Sequence, residues 1–403
     1  MYLIKQIEIK GLWGSRDLSF DLAADVNFLV GKNGSGKTAV MRIIAHTLAG
    51  NGEALRGEPF QEISINLLSE TRDLEILKAH RKISDSDGQP SVKFTYRNVV
   101  QEPQILRYLL SNQRESSPLR EALSEDLKVT WLNIDRDSSS NSTDMATSAR
   151  KIDATLNNVR RRMTSHFARL KSLADAEIES FIRFVFANMI PDIETPSKAR
   201  DIEISEESVL EIYRTFRIDE EDSKRKLHKY FQKINSLKEV FIQGKPTSKP
   251  TTEDVMAISS LLPLASVLAT WHSTSERKRE ILQWQDKFVE IINRYFSPKR
   301  LEISPTNEPE FHLDDGRVLP PTELSSGEKQ IFIILGEALL QEQTRSIYLA
   351  DEPELSLHVE WQEQLVDAIR GLNRSAQILF ATHSPDIIGK HRENVFDMAK
   401  TKQ

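Results

Sequence analysis

Cysteine is absent from the 403-residue chain. Its absence excludes disulfide staples, cysteine-ligated zinc, iron–sulfur clusters and a thiol nucleophile, and it fits an intracellular, cytoplasmic setting. The amino terminus, MYLIKQIEIKGLW, lacks the unbroken apolar core and small-residue cleavage site of a secretory signal; its alternation predicts a first β-strand. A long hydrophobic run is missing too. Val255 to Trp271, the most apolar stretch, holds Pro263 and several Ser and Thr. It falls short of the ~20 strongly apolar residues of a membrane span and is expected to form a buried helix. Nor does one sign of charge dominate. With 54 Lys and Arg against 60 Asp and Glu, the formal charge of −6 exerts no overall pull on nucleic acid, so local patches must be weighed singly.

What is present suffices for folding. Hydrophobic residues make up 39% of the chain, which excludes wholesale disorder. At roughly 100–200 residues per domain the length implies two or three units, each able to bury a core. Strand patterns occur at Leu3–Ile9, Leu18–Leu22, Val26–Val30, Glu62–Leu68, Leu74–Ile83, Ser91–Tyr96 and Val129–Ile134. The polar run Asp137–Asp144 marks a boundary. Beyond it the spacing turns helical. Ile152, Leu156, Val159, Met163, Phe167 and Leu170 form one run, Leu227 to Phe241 a second, and Ile281, Trp284, Phe288, Ile291 and Tyr295 a third, with a linker at Gly244–Thr252. Strands return at Leu301–Ser304, Glu310–Leu313, Ile347–Ala350 and Gln377–Ala381, separated by helices starting near Ser326 and Val359. No period of 20–50 residues repeats, so a solenoid is excluded.

Gly31-Lys32-Asn33-Gly34-Ser35-Gly36-Lys37-Thr38 satisfies G-x-x-x-x-G-K-[ST] between an apolar strand and an amphipathic helix. Glycines permit the compact turn that points N–H groups at phosphate oxygens, and the helix N-terminus adds partial positive charge. Lys37 is expected to reach the β- and γ-phosphates of ATP, and the Thr38 hydroxyl to ligate Mg2+. The strand Ile347–Ala350 ends in Asp351-Glu352-Pro353-Glu354. Two adjacent carboxylates there suit a metal ligand, Asp351, and a general base, Glu352. Leu324-Ser325-Ser326-Gly327-Glu328 opens a helix with a Ser/Gly-rich N-terminus, which is either an ordinary cap or a second anion site.

In this order, with Ala381-Thr382-His383-Ser384-Pro385 following, these elements resemble the ABC-type ATPases: Walker A at 31–38, signature LSSGE at 324–328, Walker B at 347–352, and a switch histidine. The resemblance implies an α/β fold, an ABC-ATPase head built on a P-loop mixed sheet with an antiparallel β subdomain. It also implies two heads sandwiching ATP, with Asn33, Gly34, Ser35, Gly36, Lys37 and Thr38 on one side and Ser325, Gly327 and Glu328 acting from the other. His383 would hold the γ-phosphate or attacking water, unless it is a plain strand-end histidine. Glu354–His358 resembles the D-loop that crosses the dimer seam. The signature departs from that of transporter ATPases at Ser326 and Glu328, and Ser325 lies 288 positions after Lys37. Both features resemble instead the SMC-like and recombination ATPases and the ATPase domain of the OLD nucleases. The Q-loop glutamine stays unassigned among Gln101, Gln104 and Gln113.

The organisation expected is a head of residues 1–136 and 300–403 interrupted by a helical insertion, 137–299. About 20 residues follow His383, too few for the TOPRIM domain of the OLD nucleases. Any cutting is therefore expected of a separate effector, as in the anti-phage Septu and PARIS systems, with this chain a homodimeric or higher oligomeric switch whose hydrolysis is slow in isolation. A DNA repair or chromosome-maintenance ATPase acting directly on DNA is the other reading. It would draw on the basic triplets Arg160–Arg162, Lys224–Lys226 and Arg277–Arg279, which solvated helix faces explain better. Nucleic acid stays open as a ligand; a membrane is not expected.

Overall fold

The computed structural model describes residues 1–71, 73–83, 90–98, 106–109, 118–132, 145–188, 205–218, 221–242 and 251–399. Gln101, Gln104, Gln113 and the polar run 137–144 lie outside them. In chain order the elements begin with β1 (Tyr2–Leu12), β2 (Arg16–Asp21), β3 (Val26–Val30), α1 (Lys37–Leu48), α2 (Gly52–Arg56), β4 (Glu62–Ser69) and β5 (Leu74–Ile83). They continue through β6 (Pro90–Asn98), β7 (Leu106–Leu109), α3 (Pro118–Asp126), β8 (Val129–Leu132), α4 (Met145–Ala187), α5 (Glu206–Thr215), α6 (Glu221–Ile242) and α7 (Thr252–Tyr295). The last are β9 (Arg300–Ile303), β10 (Pro309–His312), β11 (Val318–Leu319), α8 (Ser326–Leu340), β12 (Ser346–Asp351), α9 (Val359–Leu372), β13 (Ala376–Thr382), α10 (Pro385–Ile388) and β14 (Val395–Asp397).

Three sheets organise the head. A five-stranded sheet, ordered β14-β3-β13-β12-β8, is parallel throughout. Its central strands β12 and β13 are buried along their whole length, which is why they read as continuous apolar runs rather than alternating ones. A six-stranded antiparallel sheet, β2-β1-β4-β5-β6-β7, has one face in the core. There Ile63, Ile65 and Leu67 alternate inward along β4 with outward residues. The helix α1 packs against strands of both sheets, and its buried Val40, Met41, Ile43, Ile44 and Leu48 join their core. A three-stranded sheet, β11-β10-β9, completes the set. Parallel and antiparallel pairings thus make the expected α/β fold, each kind in its own sheet.

The chain divides into two compact units, 1–166 with 284–403, and 167–283. These divisions fall inside α4 and α7, because the start of α4 packs against α8. A Cβ at Gly336 of α8 would stand 2.8 Å from Val159 and 2.9 Å from Met163, so only glycine permits that approach. The second unit has its own core of Val209, Leu227, Phe231 and Leu268, beside packed rings of Phe181, Phe216 and Trp271. The expectation for Val255–Trp271 needs correction. It is helical, within α7, but among its described residues Ala257, Ala265, Leu268 and Trp271 are buried while Val255 and Met256 are exposed. By length and composition alone α7 is apolar enough to cross a membrane, its best 18-residue window averaging a hydropathy of 1.5.

Candidate nucleotide-binding site

Parallel pairing brings three strand ends together. Asp351 of β12 pairs with Ala381 of β13, and Thr382 of β13 pairs with Val30 of β3, so the phosphate loop, the acidic turn and His383 all leave one edge of the sheet. The carboxyl ends of parallel strands are where open α/β sheets gather ligands.

The loop is shaped by its glycines. Gly36, with φ of 96°, is the N-cap of α1 and lies in the left-handed region that side chains rarely adopt. It is also crowded, since a Cβ there would run into the indole of Trp13. Asn33 and Gly34 are exposed, Ser35, Gly36 and Thr38 half-buried, and Lys37 only 4% exposed. The Lys37 ammonium donates to Gly31 O at 3.1 Å and meets Nε2 of His383. Burial pulls its pKa below the ordinary value, while the nearby carboxylates of Glu352, Asp351 and Glu354 push it back up.

The acidic turn follows at once. Asp351 is 6% exposed at the end of β12. Glu352 adopts φ of 47°, a left-handed conformation that costs a non-glycine residue roughly 1–2 kcal/mol. Its N–H donates to Ala381 O at 2.8 Å, which holds the turn against β13. The consequence is position: its Oε1 stands 3.5 Å from His383 Nε2. One imidazole nitrogen therefore faces both a cation and a carboxylate. It can accept from Lys37 or donate to Glu352, and it cannot do both in one tautomer.

The signature segment is a capping box. Glu328 N–H donates to Ser325 Oγ at 3.4 Å, and Ser325 N–H donates to Glu328 Oε2 at 2.8 Å. Burial alone would raise the Glu328 pKa; bonds from Lys299, with Nζ 2.7 Å from Oε2, and from Ser325 outweigh it and hold the carboxyl below its ordinary value. Glu328 is thus committed to its own helix start. Among the described residues no hydrogen bond or ion pair joins Ser325, Gly327 or Glu328 to the phosphate loop. Gly327 instead abuts the acidic turn, where a Cβ would overlap Ser356 O.

Two groups escaped the sequence reading, and a third, Glu354, reads there only as the start of a segment resembling the D-loop. Trp13, 49% exposed with φ of 51°, is held by its N–H to Pro59 O at 2.8 Å and leans on the loop from the β1–β2 turn. Arg16 reaches Ser35 O at 3.4 Å. Glu354 accepts from the segment around His383. The aromatic and the arginine sit before the motif, and an isolated Trp after a strand carries no spacing signal.

The groups present fit a nucleotide with Mg2+. The buried Ser35 hydroxyl has no hydrogen-bond partner, and α1 opens with N–H groups that helix geometry leaves unpaired. Among the described residues no cluster of three or more His, Asp or Glu is arranged to hold a metal alone. Mg2+ characteristically takes one or two protein oxygens plus phosphates and waters, which one hydroxyl, Thr38, and one carboxylate, Asp351, supply. Each basic triplet has at least one member in an ion pair within the protein: Arg160 pairs with Glu308 at 3.6 Å, Arg162 with Glu337 at 2.5 Å, Lys226 with Asp222 at 2.8 Å and Arg277 with Glu177 at 3.4 Å.

No curated protein matches the chain. Among solved structures it is similar to the Smc head domain with a coiled coil and joint from Pyrococcus yayanosii, at 16% identity and a TM-score of 0.45, covering 98% of this chain and 95% of that one. The Smc head of Pyrococcus furiosus bound to the C-terminal domain of ScpA gives 14% identity and 0.42, with 98% and 93% covered. The SMC head domain from Thermotoga maritima gives 12% and 0.36, with 96% and 90% covered. A family model described as "AAA domain, putative AbiEii toxin, Type IV TA system" matches residues 26–389, most of the chain, and the chain belongs to that family of AAA domains.

Proposed function

We propose that the protein is an ATP-hydrolysing switch of the SMC-like and OLD-like kind, which closes head to head as a homodimer or higher oligomer and controls a separate effector, a nuclease, in prokaryotic antiviral defence in the cytoplasm. The observation that carries the enzymatic part is the meeting of Lys37, Glu352 and His383 at one sheet edge. The family description, which names a toxin of a toxin–antitoxin system, supports a defence setting.

In this reading the loop residues Asn33 to Thr38 wrap the phosphates and Lys37 neutralises their terminal charge. Trp13 offers a flat apolar face beside the loop on which a base stacks. Glu352 takes the proton of the attacking water, and His383, released from Lys37, holds the terminal phosphate. When bound, Mg2+ would be held by Thr38 and Asp351 and would offset charge on the phosphate oxygens. Ser325 and Gly327 reach the nucleotide of a second copy; Glu328 shapes their helix start. Direct action on DNA is the weaker reading because ion pairs engage members of each basic triplet.

Steady-state ATP hydrolysis and light scattering with and without ATP test the switch. Co-purification with the product of a neighbouring nuclease gene tests the effector. Salt-sensitive DNA binding, lost when the triplets are neutralised, would favour the other reading.

A further inference from the structure

What fixes His383 is its backbone, and one carboxylate does most of the holding. Glu354 Oε1 accepts from Thr382 Oγ1 at 2.6 Å, from His383 N–H at 2.7 Å and from Ser384 N–H at 3.2 Å. Three donors on a single charged oxygen pin residues 382–384 as a unit, because charge-assisted bonds are roughly twice as strong as neutral ones. The other oxygen, Oε2, is buried with no hydrogen-bond partner, so no competing anchor turns the carboxylate away. Gln362 adds a second strut, accepting from Ser384 Oγ at 2.7 Å and donating to Leu357 O at 2.9 Å.

Glu354 itself belongs to a turn anchored on the signature helix. Gln330 Nε2 donates to Pro353 O at 2.8 Å, and Gly327 presses on Ser356 O. The tip of the turn, Leu355 and Ser356, is exposed, and Ser356 has φ of 67°. Between the signature helix and the imidazole there is thus a continuous path of bonds through one acidic side chain.

We propose that Glu354 is a positioning residue for hydrolysis: it sets the place of the His383 imidazole beside Lys37 and Glu352 and links it to the exposed turn Leu355–Ser356. The proposal rests on the reading of His383 given above. Glu354→Ala removes the acceptor. Glu354→Gln keeps the size and one acceptor oxygen, and guards against loss of folding.

In the full chain, Glu354→Ala is expected to lower kcat about tenfold or more with KM for ATP changed less than about twofold, and Glu354→Gln to fall between it and the native protein. Glu354→Ala combined with His383→Ala should be no slower than His383→Ala alone, because both act through one group. Histidine NMR, with the His383 resonance identified by its loss in His383→Ala, should show that resonance shifted or broadened by Glu354→Ala. An unmoved resonance, or losses that multiply in the double variant, overturns the proposal. If the native chain hydrolyses no ATP, the reading of the site fails, while the resonance still decides on Glu354.

Discussion

The Lys37 ammonium meets the Nε2 atom of His383, joining the phosphate loop to the end of β13 where the Glu352 carboxylate stands 3.5 Å away. A cation, an imidazole and a carboxylate share one small volume at the sheet edge, and each can be removed separately.

Lys37→Ala removes the buried ammonium that, in the proposed function, faces the terminal phosphate. A charge-assisted hydrogen bond contributes about 1.5–3 kcal/mol, so ATP affinity is expected to fall by about 10- to 100-fold, measured by calorimetric titration. Lys37→Arg should not restore it, because a planar guanidinium does not fit where Lys37 donates to Gly31 O.

Trp13→Ala tests the stacking face. Base–aromatic stacking contributes about 1–3 kcal/mol, so ATP should bind at least several-fold more weakly. A phosphate-only ligand such as inorganic triphosphate should bind the variant and the native chain alike. The fluorescence of Trp13 should change on adding ATP to the native chain and not on adding triphosphate.

Glu328→Gln tests the charge that Glu328 presents to Lys299 at the helix start, and its dependence on pH. Because the folded-state pKa of Glu328 is depressed below 4.5, its contribution to stability is present above that value and disappears as pH falls through the folded-state pKa. At pH 7 the variant should melt slightly below the native chain, since Gln still accepts from the Ser325 N–H and only the charge facing Lys299 is lost. At pH values below the depressed pKa the two melting curves should converge.

Much of this site was legible because its chemistry lies in short, contiguous segments. Val26–Val30, the loop and α1 follow from an apolar strand, three glycines and a lysine, and the strand and helix fall where that pattern puts them. Asp351, Glu352 and His383 were readable singly as strand-end residues, and parallel register makes them neighbours. Trp13 was not readable as a site residue, and the hold of Glu354 on the His383 segment was not readable either, since each acts through a contact made by the fold: a turn laid over Gly36, and a side chain turned onto the next strand's end. Glu328 reads as a ligand from its place in the signature, yet Lys299, a neighbour only in space, engages its carboxylate. The short strands β11 and β14 escape pattern reading because two or three residues show no period. Two apolar runs, Val255–Trp271 and Ile281–Tyr295, proved to be one helix, since Pro263 is accommodated within it and the polar residues between the runs continue the same turns.

The most direct test of the central claim is Glu352→Gln, followed by ATP turnover, retained nucleotide and molecular mass in one preparation. The carboxamide keeps the shape of the turn and cannot take a proton, so turnover should fall by about 100-fold or more, ATP should remain bound, and the mass should shift to that of a dimer or larger assembly. Hydrolysis by Glu352→Gln at the native rate would contradict the account.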